Sequence, residues 1–314
     1  MAAIPSQASS LSKDLSLPGQ SQTATIPRLV YGTAWKKDNT SDLVYTALKS
    51  GFRGIDTAAQ PRHYQEHLVG DGVRRAIVDG LVRRRDIFLQ TKFSPTGAQD
   101  LDNMPYDADA PLAEQVKSSI ASSLRNLAPS GAAEEEAYLD SVVLHSPLES
   151  IEDTIVVWKT LSKYVPDRIR HLGISNTPLE IVKYLLEAPD IRTKPSVVQN
   201  RFHGQTGYES ELRALCRQHG IVFQSFWTLS GNPRLLKNKI VGTVADSAGV
   251  EKEVAYYSLV LGLEGITILD GTTSQSHMKT DLGGIEAVGR WAEDEGKDVW
   301  TRSLQEFRAL VGDV

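Results

Sequence analysis

What most constrains this chain is an alternation. Eight short runs rich in apolar and β-branched residues stand at Leu29–Gly32, Gly54–Asp56, Ile87–Thr91, Ser141–Leu144, His171–Ile174, Val197–Gln199, Val222–Ser225 and Gly265–Ile268. Between them lie amphipathic patterns with helical period at Ser41–Ser50, Leu68–Asp79, Leu112–Asn126, Ile151–Lys163, Pro178–Ala188, Glu209–His219 and Thr243–Leu261. Strands joined through helices form parallel sheets, and eight such units predict a (β/α)8 TIM barrel. The competing architecture is a doubly wound open sheet. Against it, no G-x-G-x-x-G follows the first run, and Gly70-Asp71-Gly72 lacks the third glycine. The punctuation agrees with the helices. Thr40-Ser41-Asp42 and Thr177-Pro178 are good starts, and Gly51 and Gly220 fit C-terminal caps.

With 314 residues, 40% of them hydrophobic, one large core is possible. Residues 25–314 are expected to form a single barrel domain. Residues 1–24, rich in Ser, Gln, Ala and Pro, are expected to be a disordered leader. That leader has neither the apolar core of a signal peptide nor the arginines of a transit peptide. No run approaches the ~20 apolar residues of a membrane span. The net charge of −5 gives no support to a nucleic-acid partner, and Arg83-Arg84-Arg85 reads as a solvated turn. One cysteine, Cys216, permits no intramolecular disulfide, so a reducing, cytoplasmic compartment is expected, with Cys216 as helix packing. Nothing signals a protein partner, so a monomer is expected. No Cys/His cluster has metal-ligand spacing. A long polar connection, 94–111, follows the third strand and carries Asp100, Asp102, Asp107 and Asp109. It is either a functional, substrate-facing loop or a disordered one.

The chemistry sits at the strand ends. Asp56, Lys92 and His145 each follow or close an apolar run, and Tyr64 lies in the loop beyond the second. A tyrosine ordinarily titrates near 10, too high for ready proton exchange at neutrality. A neighbouring ammonium favours the phenolate and lowers that value. A carboxylate can hold the lysine charged and in place, and a histidine can orient a carbonyl oxygen or share the proton. Each residue alone has a plain structural explanation. The four at successive strand–helix junctions suggest a proton-relay site at one rim of the barrel.

Over nearly all of residues 25–280 the chain resembles the aldo-keto reductases. The resemblance rests on Gly32-Thr33-Ala34-Trp35, Gly51-Phe52-Arg53-Gly54-Ile55-Asp56-Thr57-Ala58, Thr91-Lys92, Tyr138-Leu139-Asp140 with Leu144-His145-Ser146-Pro147, Gly173-Ile174-Ser175-Asn176 and Gln199-Asn200. It implies a barrel that binds NADPH or NADH at its C-terminal rim and reduces a small-molecule aldehyde or ketone by direct hydride transfer. Tyr64 would be the general acid, tuned by Lys92 with Asp56, and His145 would orient the carbonyl. Ser175, Asn176 and Gln199 would hydrogen-bond the nicotinamide carboxamide. Phe226 would stack on its ring, and Gly32, Thr33 and Ala34 would line the pocket floor.

Three departures qualify the resemblance. The family usually places tyrosine five residues after the aspartate, whereas Tyr64 is eight after Asp56, which reads as a three-residue insertion through Ala59-Gln60-Pro61-Arg62-His63. The eighth strand runs into Asp270-Gly271-Thr272-Thr273-Ser274, where many members carry cationic partners for the 2′-phosphate of NADPH. An aspartate there argues for NADH or weak discrimination, while Thr272 and Thr273 are neutral donors for a phosphate. Phe226-Trp227-Thr228-Leu229 replaces Tyr-Ser-Pro-Leu, changing the surface over the pyrophosphate, with Trp227 either covering the cofactor or packing. Two rival readings of the same barrel remain at this point: a non-redox acid–base enzyme for dehydration or cyclisation, and a cofactor-binding sensor or scaffold.

Overall fold

The computed structural model describes residues 9–18, 24–129 and 137–313. Two short strands, β1 (Leu15–Ser16) and β2 (Thr25–Ile26), pair antiparallel. Eight further strands follow: β3 (Leu29–Gly32), β4 (Gly54–Asp56), β5 (Phe88–Phe93), β6 (Leu139–Leu144), β7 (Ile169–Ser175), β8 (Val197–Arg201), β9 (Val222–Phe226) and β10 (Ile266–Asp270). They close into a barrel in the order β10-β3-β4-β5-β6-β7-β8-β9. The helices between them make this the expected (β/α)8 architecture.

The helices are α1 (Thr40–Ser50), α2 (Glu66–Val78), α3 (Leu112–Leu127), α4 (Ile151–Ser162), α5 (Leu179–Glu187), α6 (Ser210–Gln218), α7 (Pro233–Leu236), α8 (Lys239–Ala248), α9 (Lys252–Leu261), α10 (Gln275–Glu293) and α11 (Lys297–Leu310). The single helix expected over Thr243–Leu261 is two. Gly249 ends α8 in the left-handed region, at φ +65°, where a side chain would be strained, and donates its N–H to the Ala245 carbonyl. The hydrophobic period ran across that break because both helices bury an apolar face.

By contacts the chain divides into two compact units, which are taken one at a time. The first comprises residues 31–49 and 53–199. Ile55, Leu89, Val142, Val143, Leu172 and Ile174 are fully buried in its strands. Helices α2 and α3 approach closely at Gly70, where an added Cβ would lie 1.9 Å from the Asn126 carbonyl oxygen. Arg74 then caps α3, donating Nη1 to the carbonyls of Asn126 and Ala128 at 2.9 Å each. At the start of β6, buried Asp140 accepts from the Leu89 N–H at 3.0 Å and pairs with Arg84 and Arg170 at 2.7 and 3.1 Å. Both guanidinia lie on the Tyr138 ring, 4.0 and 3.8 Å from its centre.

The second unit comprises the described parts of residues 2–30, 50–52 and 200–314. It corrects part of the expected disordered leader. Ser9 Oγ donates to Glu286 Oε2 at 2.8 Å, Ser12 Oγ donates to the same oxygen, and the Ser10 N–H donates to Glu293 at 2.7 Å. Leu11 and Leu17 are buried, so a few leucines in a polar stretch suffice to dock it. Residues 1–8 and 19–23 of that leader lie outside the described residues. Cys216 is buried, and burial pushes its thiol up to about 12, in keeping with a packing role. No helix among the described residues is long and apolar enough to cross a membrane.

Candidate active site

The site is built by strand periodicity. Residues two apart on a strand leave the same face, so Gln90 and Lys92 of β5 reach one target. That target is Asp56 at the end of β4, whose backbone pairs with Gln90. Lys92 Nζ lies 2.5 Å from Asp56 Oδ2 and donates to the Thr57 carbonyl at 2.9 Å. Gln90 and Gln199 donate their side-chain amides to Asp56 Oδ1 at 2.7 and 3.1 Å. Lys92 and Asp56 are almost fully buried, at 1% and 2% exposure.

The inserted loop returns Tyr64 to this pair. Ala59 N–H donates to the Lys92 carbonyl, and the N–H groups of His63 and Tyr64 share the Gln60 carbonyl, all at 3.0 Å. This turn sets the Tyr64 ring centre 5.1 Å from Lys92 Nζ. The His145 ring stands edge-on to it at 6.0 Å. Burial raises the Tyr64 hydroxyl above its ordinary value, Lys92 partly reverses this, and Asp56 adds to the rise. The ammonium alone was expected to lower it, and desolvation outweighs the ammonium. Tyr64 is therefore a neutral phenol at physiological pH, able to donate a proton.

His145 follows β6, its N–H bonded to the Phe93 carbonyl at 2.9 Å. Burial, then the charge of Lys92, then His63, push its imidazole down to about 3, so it is neutral. Its Nδ1 lies 2.6 Å from Ser94 Oγ. If the Ser94 hydroxyl donates, the proton of the imidazole sits on Nε2, and that nitrogen becomes a donor. Ser94 is a residue the sequence reading missed. It is two positions beyond Lys92, just past the end of β5, and that spacing was the available signal.

Of the residues expected around the cofactor, Ser175 and Asn176 end β7. Asn176 has left-handed backbone, φ +49°, and its exposed side chain donates Nδ2 to the His145 carbonyl at 2.9 Å. Ser175 Oγ donates to the Gln199 carbonyl at 2.6 Å. Gln199 donates its side-chain amide to Asp56 at 3.1 Å. Thr33 is buried and donates its hydroxyl to the Asp56 carbonyl at 2.9 Å, a structural bond, while Gly32 and Ala34 remain partly exposed. Trp35 is 63% exposed and stacks on His63, ring centres 3.9 Å apart. His63 is held by Gln60 Oε1 at 3.0 Å, and Gln60 donates to the Ala98 carbonyl at 2.6 Å. The 94–111 connection is tied down as well. Tyr106 donates its hydroxyl to the Ser94 carbonyl at 2.7 Å, and Gln99 donates to the Ala59 carbonyl at 2.8 Å.

In the second unit, Phe226 closes β9 and meets the half-exposed Trp227 edge to face, ring centres 6.4 Å apart. Leu229 is partly exposed in the turn that follows. Asp270 ends β10. It is buried, accepts from the Thr272 N–H at 3.0 Å, and faces Asp281 of α10. Burial, then the charge of Asp270, raises the Asp281 carboxyl above the ordinary carboxylate range. The Asp270 side chain is thus buried near Asp281 of α10. Gly271 and Thr273 are exposed beyond it, and Thr272 Oγ1 accepts from the Ser274 N–H at 3.2 Å, just before α10.

Among known proteins, the model of the aldo/keto reductase family matches residues 28–261. A soybean (Glycine max) NAD(P)H-dependent 6′-deoxychalcone synthase is 26% identical, covering 94% of this chain and 92% of that protein. An NAD(P)H-dependent D-xylose reductase of Pachysolen tannophilus is 26% identical over 71% of this chain and 74% of its own. Among solved structures, an aldo/keto reductase from Brucella melitensis superposes with a TM-score of 0.67 at 21% identity, covering 89% of this chain and 99% of that one. The silkworm (Bombyx mori) aldo-keto reductase complexed with NADPH gives a TM-score of 0.68 at 19% identity, covering 89% and 88%. The family match spans well over half the chain and contains all four residues of the buried relay, so the protein belongs to the aldo/keto reductase family.

Proposed function

We propose that this protein reduces an aldehyde or ketone to an alcohol with a nicotinamide dinucleotide, using Tyr64 as the proton donor. The observation that carries the reading is the relay itself: Asp56 fixes Lys92 at 2.5 Å, and Lys92 lies under the Tyr64 ring beside a neutral His145. A bound dihydronicotinamide would supply the hydride. The residues present fit such a group. The exposed amide of Asn176 offers a carbonyl acceptor beside the Ser175 hydroxyl, and Phe226 offers a ring face. Trp227 and Leu229 border that ring in sequence. Gly271, Thr272 and Thr273 lead into the N-terminus of α10, whose partial positive charge favours phosphate. These contacts suit NADPH and NADH alike.

Tyr64 gives up its proton as negative charge grows on the substrate oxygen. Lys92 stabilises the phenolate left behind, and Asp56 keeps that ammonium in place. His145, neutral and anchored through Nδ1 by Ser94, presents Nε2–H to the same oxygen and orients the carbonyl. Because no cation replaces His145, the ammonium of Lys92 is the one full positive charge in the relay. We expect turnover of a carbonyl panel, followed by nicotinamide absorbance, to be abolished in Tyr64→Phe with dinucleotide binding intact. Product formation without loss of that absorbance would overturn the reading in favour of acid–base chemistry. Binding without turnover by the wild type would favour a sensor.

A further inference from the structure

We infer that Arg201, laid on the face of Trp227, is an oxyanion seat that takes a carboxylate of the substrate or a phosphate of the dinucleotide. Arg201 is the last residue of β8. Two positions earlier on the same strand face, Gln199 sends its amide to Asp56. Arg201 therefore shares that face of β8, about 7 Å further toward the strand's C-terminal end.

The guanidinium carbon is 3.9 Å from the centre of the Trp227 ring and 5.9 Å from that of Phe226. Trp227 is 52% exposed and adopts φ +55°, a left-handed region that strains a bulky residue. The turn that imposes this is well bonded: Gly231 N–H donates to the Trp227 carbonyl at 2.8 Å, and Asn232 Nδ2 donates to the Thr228 and Phe202 carbonyls at 2.9 and 2.6 Å. An exposed indole in strained backbone is thus fixed beneath a cation.

The cation is the unusual part. Among the described residues, Arg201 is the one arginine withdrawn from full exposure that has neither a hydrogen bond nor an ion pair, and its Nε is sealed from solvent. Arg28, Arg84, Arg168, Arg213 and Arg308 each end on a carbonyl or carboxylate oxygen. A sealed Nε–H without an acceptor is unfavourable, and an oxyanion at the edge of the guanidinium would relieve it. Stacking occupies the face of the guanidinium and leaves its N–H edge for a two-pronged contact, which suits planar carboxylates and phosphates. Carboxylate and phosphate share this chemistry, and the experiment separates them.

The test uses the whole protein, Arg201→Met and Arg201→Lys. Titration of intrinsic fluorescence with NADPH and with NADH reads the dinucleotide arm without any turnover. The substrate arm compares 4-carboxybenzaldehyde with 4-methylbenzaldehyde, by binding and by kcat/KM at saturating dinucleotide, and only its kcat/KM part rests on the proposed reduction. A charge-assisted contact corresponds to about a tenfold loss or more in Arg201→Met, with Arg201→Lys between. A loss confined to the carboxylated aldehyde assigns the seat to substrate. A loss confined to NADPH assigns it to the 2′-phosphate, and an equal loss for both dinucleotides assigns it to the pyrophosphate. Changes below about twofold in every arm, or equal losses for both aldehydes with dinucleotides unaffected, overturn the proposal. If the wild type reduces neither aldehyde, the proposed function fails, while the binding measurements still decide the role of Arg201.

Discussion

Neutralising Asp56 by Asp56→Asn strands a buried ammonium. Lys92 then retains only uncharged acceptors, the Thr57 carbonyl at 2.9 Å and the Tyr64 hydroxyl. The new amide has an added conflict. If its oxygen faces Lys92, its NH2 faces the amide donors of Gln90 and Gln199 that now meet Oδ1 at 2.7 and 3.1 Å. Removing one partner of a buried pair costs about 3–5 kcal/mol. For 314 residues, at about 2.1 cal/mol/K per residue, the unfolding entropy is roughly 0.66 kcal/mol/K, so the melting temperature should fall by about 5–8 °C. Lys92→Met should cost less, because Asp56 keeps two amide donors when the ammonium is gone. The double variant removes both charges and should be more stable than the two single losses summed, by about 2 kcal/mol or more. Guanidinium unfolding of all four proteins, with circular dichroism for the melting temperatures, measures each corner of this cycle. Strict additivity, or a loss below about 1 kcal/mol in Asp56→Asn, refutes the claim that these charges depend on each other.

Other expectations follow from the same contacts. Folded His145 stays neutral down to about 3, so between pH 6.5 and that value the unfolded chain binds one more proton and stability falls as pH falls. Its share of the slope, at most about 1.4 kcal/mol per pH unit, should vanish in His145→Gln when unfolding is followed across that window. Ser94→Ala removes the partner of His145 Nδ1 and should lower kcat more than it raises KM, by roughly tenfold, through loss of imidazole orientation; an unchanged kcat contradicts it. Gly70→Ala should destabilise by about 2 kcal/mol or more, since the new methyl meets backbone, not a movable side chain, and a neutral result in denaturant would show that α2 and α3 part easily. Trp35→Ala should leave dinucleotide affinity unchanged while weakening KM for aromatic aldehydes more than for propanal, because the indole, tilted against His63, is 63% exposed; equal effects on both substrates would count against it.

The legible parts of this molecule were those governed by short-range pattern. Each of the eight barrel strands was expected within about two residues of where it lies, because buried parallel strands read as compact apolar runs. The relay was legible for the same reason: Asp56, Lys92 and His145 interrupt or close such runs. What was hidden depends on direction and distance. Asp270 looked like a rim acid, but the side chain it meets, Asp281, is eleven positions away on a helix whose facing side no spacing reveals. Arg201 was not singled out, since its contact with Trp227 and its lack of an oxygen partner are properties of its surroundings alone. Ser94 was within reach of the period-two rule but carried no sign of its histidine. The docking of residues 9–18 escaped because composition averages away the leucines that anchor it.

The ladder that carries the relay has a consequence for how correctly folded molecules are counted. Gln90 pairs with Asp56 on one side and with Ser141 on the other, and Lys92 pairs with Val143. A slip of one residue in β5 would turn Gln90 and Lys92 outward and bring Leu89 and Thr91 in. Such a molecule could keep much of its helical signal and remain compact, yet lose the ammonium beside Asp56 entirely. Catalytic titre per mole of chain therefore audits strand alignment. In refolding or expression trials it separates in-register barrels from near-misses that bulk spectroscopy scores alike.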